Sequence, residues 1–391
     1  MKKTDSHRLL IVSSIDVSLI RFRGKLISEL VAHGFQVFVA APHFSDTYKA
    51  KLNELGTITR KIDLSPTGMS LAEDLRTVKQ LYKLIKKEKI DLVFPYTMKP
   101  VMYTSLAARW AKISAVGMVS GLGYVFTGES FKRRLLKQLV IRIIQFSIAK
   151  NKAMVFQNPD DAALFKANNL IGRECHVTVV SGSGVDLEEF SWRPPRGEFQ
   201  NIKFVFVARL LEDKGINLFL NAARDIKPQW PKAEFHIIGG LVPDTPNSVD
   251  LNTIERFSDE GFVHYHGHCS HIQEMLREMD VIVYPSWYRE GVPRALLEAL
   301  SVGLAVITTD MPGCRETVEQ EVNGWMIQPK SQQCLNDAIT KALENPQKLI
   351  EMSFNSRRLA ENRFNVNHVN AIIVELLSSV ADSERGVISC D

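Results

Sequence analysis

The chain has 391 residues, which at ~100–200 residues per domain predicts two domains with a core each and excludes a single small binding module. Hydrophobic residues make up 45% and charged residues 24%, a globular balance that rules out a disordered chain or a fibrous repeat. A net charge of +4 is too mild to imply nucleic acid as a partner, and five scattered cysteines with no C-x-x-C pair suit a reducing, cytoplasmic compartment.

Basic residues precede an apolar stretch at the start of the chain, but Leu9 to Val12 is far shorter than the core of a leader peptide, so a first buried strand is expected there. From that point, short apolar runs alternate with longer amphipathic ones, the pattern of βα units in a parallel sheet. In the first half the strand candidates are RLLIVSS, FQVFVAA, DLVFPY, AVGMVS, AMVFQ and VTVVS, with helices expected over Ile20 to His33, Leu71 to Lys87 and Phe131 to Lys150. Polar residues interrupt the longest apolar helix candidate, Leu135 to Ala149, at Lys137, Arg142 and Gln145, so no bilayer span is predicted.

Glu188 to Asn201 contains Pro194-Pro195 and Arg196-Gly197 with little apolar periodicity and reads as a linker. The second half starts afresh with KFVFVAR and continues through EFHIIGG, FVHYHG, VIVYPS and LAVITT. After a turn at Asn323-Gly324, helices are expected over Gln332 to Glu344, Pro346 to Arg363 and Val366 to Ser383. Two Rossmann-like α/β domains follow, with boundaries at 1–190, a linker at 191–200, a second domain at 201–365, and a terminal helix and tail at 366–391. A ligand of such a fold is expected at the C-terminal ends of the strands, where the domains face each other across a cleft.

Four local signals fall at such strand ends. The first is Glu290-Gly291-Val292-Pro293-Arg294, continuing through Ala295 to Glu298. Pro293 suits the first helical position, which puts Glu290 in the loop, Glu298 in the second turn, and the amides of Gly291, Val292 and Arg294 at a helix start able to hold an anion. The plainer reading is an acidic first turn with a solvated glutamate. The second is Arg209 with Lys214 and Gly215, two cations at a strand-to-helix junction that can converge on a diphosphate or remain solvated loop charge. Pro312-Gly313-Cys314-Arg315-Glu316 and Ser120-Gly121-Leu122-Gly123-Tyr124 are the others, and taken singly their glycines read as turn chemistry.

In order and separation, Arg209 to Gly215, Glu290 to Glu298 and Gly313 to Gly324 resemble the family-4 retaining glycosyltransferases. Ser181 to Asp186, and Phe156-Gln157-Asn158 with Asp161, resemble the end of that family's first domain, so the likeness covers nearly the whole chain. It implies the GT-B fold, two Rossmann-like domains with the last helix returning to the first, and a metal-independent hexosyltransferase without a cofactor. Tyr96 to Pro100 and Ser120 to Tyr124 look most like bacterial enzymes that extend undecaprenyl-diphosphate-linked glycans for surface polysaccharides. The resemblance implies that Arg209, Lys214 and Glu290 are catalytic, the two cations on the donor diphosphate and Glu290 on the transferred sugar. Glu298 would bind the ribose, with Gly291, Val292, Pro293, Arg294 and Gly267 completing the donor site. Lys99, Gly121, Gly123 and Tyr124 would meet the acceptor. Where many relatives have a glycine pair after the first strand this chain has Ser13-Ser14-Ile15-Asp16, and where many have histidine it has Tyr96 and Met98.

The implied partners are a UDP-linked nucleotide sugar and a polyprenyl-diphosphate-linked glycan. Phe131 to Lys150, with Lys132, Arg133, Arg134 and Lys137 in its first turns, reads either as a solvated helix or as a basic amphipathic helix resting on anionic lipid, which would place the protein peripherally on the inner face of the plasma membrane. His264, His266 and His268 alternate along one strand and could suggest a metal, but spacing alone is a weak signal and a structural or base-contacting role is expected. Two rivals remain, a sugar-nucleotide epimerase of the same fold and a non-catalytic nucleotide-sugar-binding protein. No G-x-G-x-x-G follows the first strand, which disfavours a dehydrogenase.

Overall fold

The computed structural model describes residues 6–64, 71–121, 131–195, 200–242, 245 and 247–388, with backbone alone at 71, 131–139 and 384–388. The chain forms two compact units, one running to Ser183 and resuming at Asn367, the other spanning Gly184–Val366.

Among the described residues the first unit holds a seven-stranded parallel sheet. Its strands are β1 (Arg8–Val12), β2 (Gln36–Ala41), β3 (Ile58–Lys61), β4 (Leu92–Pro95), β5 (Ser114–Val119), β6 (Ala153–Phe156) and β7 (His176–Val179), ordered β3-β2-β1-β4-β5-β6-β7. The unbroken apolar runs have a direct cause, since both faces of the sheet are covered. Leu10 and Val12 of β1 enter one core, while Leu9 and Ile11 enter the other. The helix expected over Ile20 to His33 is instead two, α1 (Asp16–Arg21) and α2 (Gly24–Ala32). The chain breaks at Phe22-Arg23, where the buried Arg23 guanidinium sits 5.4 Å from the centre of the Tyr96 ring. Next come α3 (Asp46–Glu54), which the apolar pattern did not reveal, α4 (Leu71–Lys87), α5 (Met98–Ala111), α6 (Phe131–Ile148) and α7 (Pro159–Ala167).

The second unit repeats the scheme, with β8 (Lys203–Val207), β9 (Glu234–Ile238), β10 (His264–Tyr265), β11 (Val281–Tyr284), β12 (Ala305–Thr309) and β13 (Gly324–Ile327) ordered β10-β9-β8-β11-β12-β13. Its helices are α8 (Ile216–Ile226), α9 (Leu251–Asp259), α10 (Ile272–Arg277), α11 (Arg294–Val302), α12 (Gln332–Glu344) and α13 (Pro346–Arg363). Gly324, read as part of a turn, opens β13, a strand too short and too mixed in composition to announce itself. In both sheets the order reverses beside the first strand, between β1 and β4 and between β8 and β11, and such a reversal opens a crevice at the strand C-termini.

The crossings between units fall after Ser183 and after Val366. Val185 exchanges backbone hydrogen bonds with Phe364 and Val366, and Phe190 packs in the second core. This keeps the residues ahead of 191–200 with the second unit; 196–199 lie outside the described residues. The terminal helix α14 (Val366–Ile388) packs Val369, Ile373, Val374 and Leu377 against the β1 face that holds Leu9 and Ile11. Each such side chain contributes roughly 1.5–3 kcal/mol of burial, and Asn370 donates to Glu29 at 2.9 Å to fix the register. No described helix is long and apolar enough to cross a membrane.

Candidate functional site

The motifs of the second half meet at the C-terminal edge of the second sheet. Lys214 ends a 3-10 turn at Glu212–Lys214, and the chain enters α8 through Gly215 at φ +84. A Cβ on Gly215 would lie 2.3 Å from the Pro285 carbonyl oxygen, so this junction can press against the end of β11 only as glycine. Gly313, at φ +83, has the same role on the other side, since a Cβ there would lie 1.4 Å from the Gly291 carbonyl oxygen. The loops after β8, β11 and β12 therefore touch. The glycines at 215 and 313 are the means of contact, beyond simple turn chemistry.

Side chains converge in the same place. Lys214 Nζ lies 2.5 Å from Glu290 Oε1 and 3.3 Å from the Tyr284 hydroxyl, which itself donates to Glu290 Oε1 at 2.9 Å. The Ser286 hydroxyl stands 3.3 Å from the same oxygen and 3.1 Å from the Asp213 carbonyl, and its single proton serves one of them at a time. The Lys214 side chain is 5% exposed and that of Glu290 18%. A buried ion pair must offset its desolvation through close geometry and further hydrogen bonds, and here both are present. The Tyr288 ring centre is 5.1 Å from the ammonium and completes its cover. Arg209 is exposed and forms no ion pair among the described residues, and its charge partly offsets the upward push that burial, Asp213 and Glu290 give the Tyr288 phenol. Burial and Glu290 also push the Cys314 thiol up to about 12, so it is a neutral wall rather than a nucleophile.

At α11 the structure corrects one detail. Pro293 is the N-cap, with φ −61 and ψ 123, and the helix begins at Arg294. Glu298 still lies in the second turn, where Arg294 Nε reaches its Oε1 at 2.7 Å. Gly267 follows β10 on the same sheet edge and accepts from the Gly239 amide at 2.8 Å. His264 and His266 do pack together, but around His236 of β9: the His236 ring lies 4.9 Å from that of His264 and 5.3 Å from that of His266. His236 Nδ1 and His266 Nε2 are 3.0 Å apart, while His236 Nε2 meets Glu234 at 3.2 Å. Among the described residues no group of three or more His, Cys, Asp or Glu is placed to hold a metal ion.

In the first unit, Lys99 lies in the first turn of α5 and Gly121 follows β5, both at the C-terminal sheet edge; Gly123 and Tyr124 lie outside the described residues. The Ser13 to Asp16 run has structural partners. Ser13 bonds Ser18 at 2.8 Å, Ser18 bonds the Tyr96 hydroxyl at 2.8 Å, and Asp16 accepts from the Ser45 amide at 2.8 Å. The residues that replace the glycine pair and a histidine thus hold one another. Tyr284, Ser286 and Tyr288 were not singled out from sequence, although their position at and just after the end of an apolar strand, before Glu290, was the available signal.

Two doubly wound α/β units, one with a Lys–Glu–Tyr cluster where its strand order reverses, put a candidate ligand site at that reversal. Residues 190–359 match the family model for glycosyl transferases group 1, and residues 9–158 that for glycosyl transferase 4-like. The chain belongs to these glycosyltransferases and has the GT-B fold. It is 28% identical over 361 residues to the N,N'-diacetylbacillosaminyl-diphospho-undecaprenol alpha-1,3-N-acetylgalactosaminyltransferase of Campylobacter jejuni, covering 89% of this chain and 93% of the relative. It is 29% identical over 367 residues to the UDP-Gal:alpha-D-GlcNAc-diphosphoundecaprenol alpha-1,3-galactosyltransferase of Escherichia coli, covering 87% and 91%. Among solved structures, Anabaena HepE in complex with UDP and glucose shares the fold with a TM-score of 0.75 at 18% identity, covering 95% of this chain and 100% of HepE.

Proposed function

We propose that this protein transfers a hexose or N-acetylhexosamine from a UDP-sugar to an undecaprenyl-diphosphate-linked glycan, with retention at the anomeric carbon, in the assembly of a surface polysaccharide. The observation that carries the reading is the meeting of Lys214, Tyr284 and Glu290 beside the exposed Arg209, at the sheet reversal of a chain similar over most of its length to transferases with lipid-linked acceptors.

The roles follow from charge. Arg209 and Lys214 receive the diphosphate, Glu290 the sugar hydroxyls and Glu298 the ribose, with the loop from Gly291 through Pro293 to Arg294 and the turn at Gly267 completing the donor site. Lys99 and Gly121, with Gly123 and Tyr124, meet the acceptor. As the bond from the anomeric carbon to phosphate breaks, negative charge grows on the leaving oxygen, and fixed cations stabilise it more than they do the ground state. The acceptor hydroxyl forms the new bond on the same face and gives its proton to the leaving phosphate oxygen. The protein works in the cytoplasm, held at the membrane by α6. A thermal-shift screen of nucleotides tests the donor side, since UDP at ~100 times its dissociation constant adds ~2.7 kcal/mol of stability; stabilisation by other nucleotides alone would reject the UDP assignment.

A further inference from the structure

We propose that Tyr284 is a positioning residue of this site, whose hydroxyl holds the Glu290 carboxylate in place while the Lys214 ammonium exchanges that carboxylate for the donor's diphosphate. The proposal rests on the reading above, in which Lys214 meets diphosphate and Glu290 meets sugar.

Tyr284 is the last residue of β11, with its ring buried. The sheet needs only an apolar side chain there, as Ile282 two positions back supplies. A buried hydroxyl costs free energy unless bonded, and this one is bonded to the two charged groups of the site and, among the described residues, to no backbone group. Three polar atoms form a triangle: Nζ to Oε1 at 2.5 Å, the phenol oxygen to Oε1 at 2.9 Å, and Nζ to the phenol oxygen at 3.3 Å.

The triangle matters because one ammonium is asked to serve two anions. In this structure Lys214 is committed to Glu290. A diphosphate carries more charge than a carboxylate, and a lysine head can turn on its stem to meet it. If Lys214 were the carboxylate's sole donor, that turn would release Glu290 when a sugar must be gripped. The phenol keeps its proton and goes on donating to Oε1 throughout, because burial and the neighbouring Glu290 push the Tyr284 phenol well above its usual 10. Ser286 is a weaker holder, since it lies farther from Oε1 and its proton is shared with the Asp213 carbonyl.

The test compares wild type, Tyr284→Phe, Glu290→Gln and the double variant, using UDP-galactose and UDP-N-acetylgalactosamine with an undecaprenyl-diphosphate-linked acceptor. Calorimetric UDP affinity and melting temperature are measured alongside. Tyr284→Phe is expected to melt and bind UDP as wild type does, and to keep its donor KM. Its turnover should fall about tenfold to a hundredfold, the loss of one hydrogen bond to a charged group. In the Glu290→Gln background it should cost nothing further, because it acts through that carboxylate. Wild-type turnover in Tyr284→Phe beside an impaired Glu290→Gln would overturn the proposal alone. Losses that multiply in the double variant, or a lowered melting temperature with intact turnover, would make the hydroxyl merely structural and also overturn it. Glu290→Gln turning over like wild type would instead remove the reading of the site beneath it.

Discussion

Lys214 and Glu290 neutralise each other at 2.5 Å, so the cation assigned to the diphosphate is already occupied by the carboxylate assigned to the sugar. On those proposed roles, donor binding breaks this contact, and Glu290 competes with the phosphate besides meeting the sugar. Glu290→Gln is therefore expected to lower turnover while UDP affinity holds or rises. Calorimetry with UDP and initial-rate assays separate the two quantities, and a loss of UDP affinity would contradict the competition.

Glu298 has a different environment and a different expected effect. Its partner is Arg294, on its own helix. Glu298→Gln should weaken UDP binding about tenfold to a hundredfold, the range for one hydrogen bond to a charged acceptor, with a smaller change in turnover at saturating donor. Equal UDP affinity for this variant and wild type would remove the ribose assignment.

The histidine cluster gives a pH dependence of stability. Burial, then the neighbouring His264 and His266, hold the His236 imidazole down at about 4 from 6.5, against the pull of Glu234. An unfolded chain takes up this proton near pH 6.5, whereas the folded chain refuses it until about pH 4. The stabilisation is therefore complete above pH 6.5 and is lost as the pH falls toward 4. His266, also lowered by burial, acts in the same direction. The His236 share of the loss is on the order of 3 kcal/mol, at 1.36 kcal/mol per unit. Urea midpoints measured between pH 7 and 5 should fall, and His236→Gln should flatten the slope; an unchanged slope would exclude His236 as its source.

The two glycine contacts can be tested apart from catalysis. Gly313→Ala would place a methyl within the Gly291 carbonyl and force φ +83 on an L side chain. Strain at such a position costs on the order of 1–3 kcal/mol before any steric displacement. A lowered melting temperature, with UDP affinity reduced as the Glu290 loop is pushed away, is expected. A variant that melts and binds like wild type would show that the loops after β11 and β12 are not coupled there.

The basic run of α6 is read as a lipid contact. Vesicles containing anionic lipid should sediment the protein at low salt and release it at high salt, because surface attraction is screened beyond a Debye length. Changing Lys132, Arg133, Arg134 and Lys137 to Gln should abolish sedimentation and leave UDP affinity unchanged. Equal sedimentation of both proteins would make the helix an ordinary solvated face.

The parallel sheets were legible because burial on both faces makes their strands continuous apolar runs, as in Leu9 to Val12 and Val281 to Tyr284. The edge strands Ile58–Lys61 and Gly324–Ile327 were not, being short and of mixed composition, whereas those at His176–Val179 and His264–Tyr265 were marked by VTVVS and FVHYHG. Motif spacing marked Arg209, Lys214 and Glu290, but not that the last two form a pair, because their meeting depends on how closely the Gly215 junction approaches Pro285. Tyr284 was hidden by its own strand, where an aromatic residue is unremarkable and only the structure shows which atoms its hydroxyl meets. The histidines were legible only in part. Sequence showed an alternating run ending in His268, whereas the stack is built around His236 from a neighbouring strand.

Lys214→Ala should lose more in the transition state than in donor binding, and the product should keep the donor's anomeric configuration. The ground-state diphosphate is already charged, so the ammonium contributes to binding; the leaving oxygen then gains further charge as the glycosidic bond breaks. Lys214 sits under the Tyr284 and Tyr288 rings, where water does not screen it, and this is the setting in which a fixed donor acts most strongly on developing charge. Removing such a donor costs ~2.7–4 kcal/mol, about a hundredfold to a thousandfold in turnover. The fold should survive, because Glu290 keeps the Tyr284 hydroxyl, and a melting curve checks this. Saturation kinetics with the variant and NMR of the first-formed product measure both halves of the prediction. A raised KM with unchanged turnover would make Lys214 a binding contact only, and an inverted anomeric centre would reject the retaining assignment whatever the kinetics.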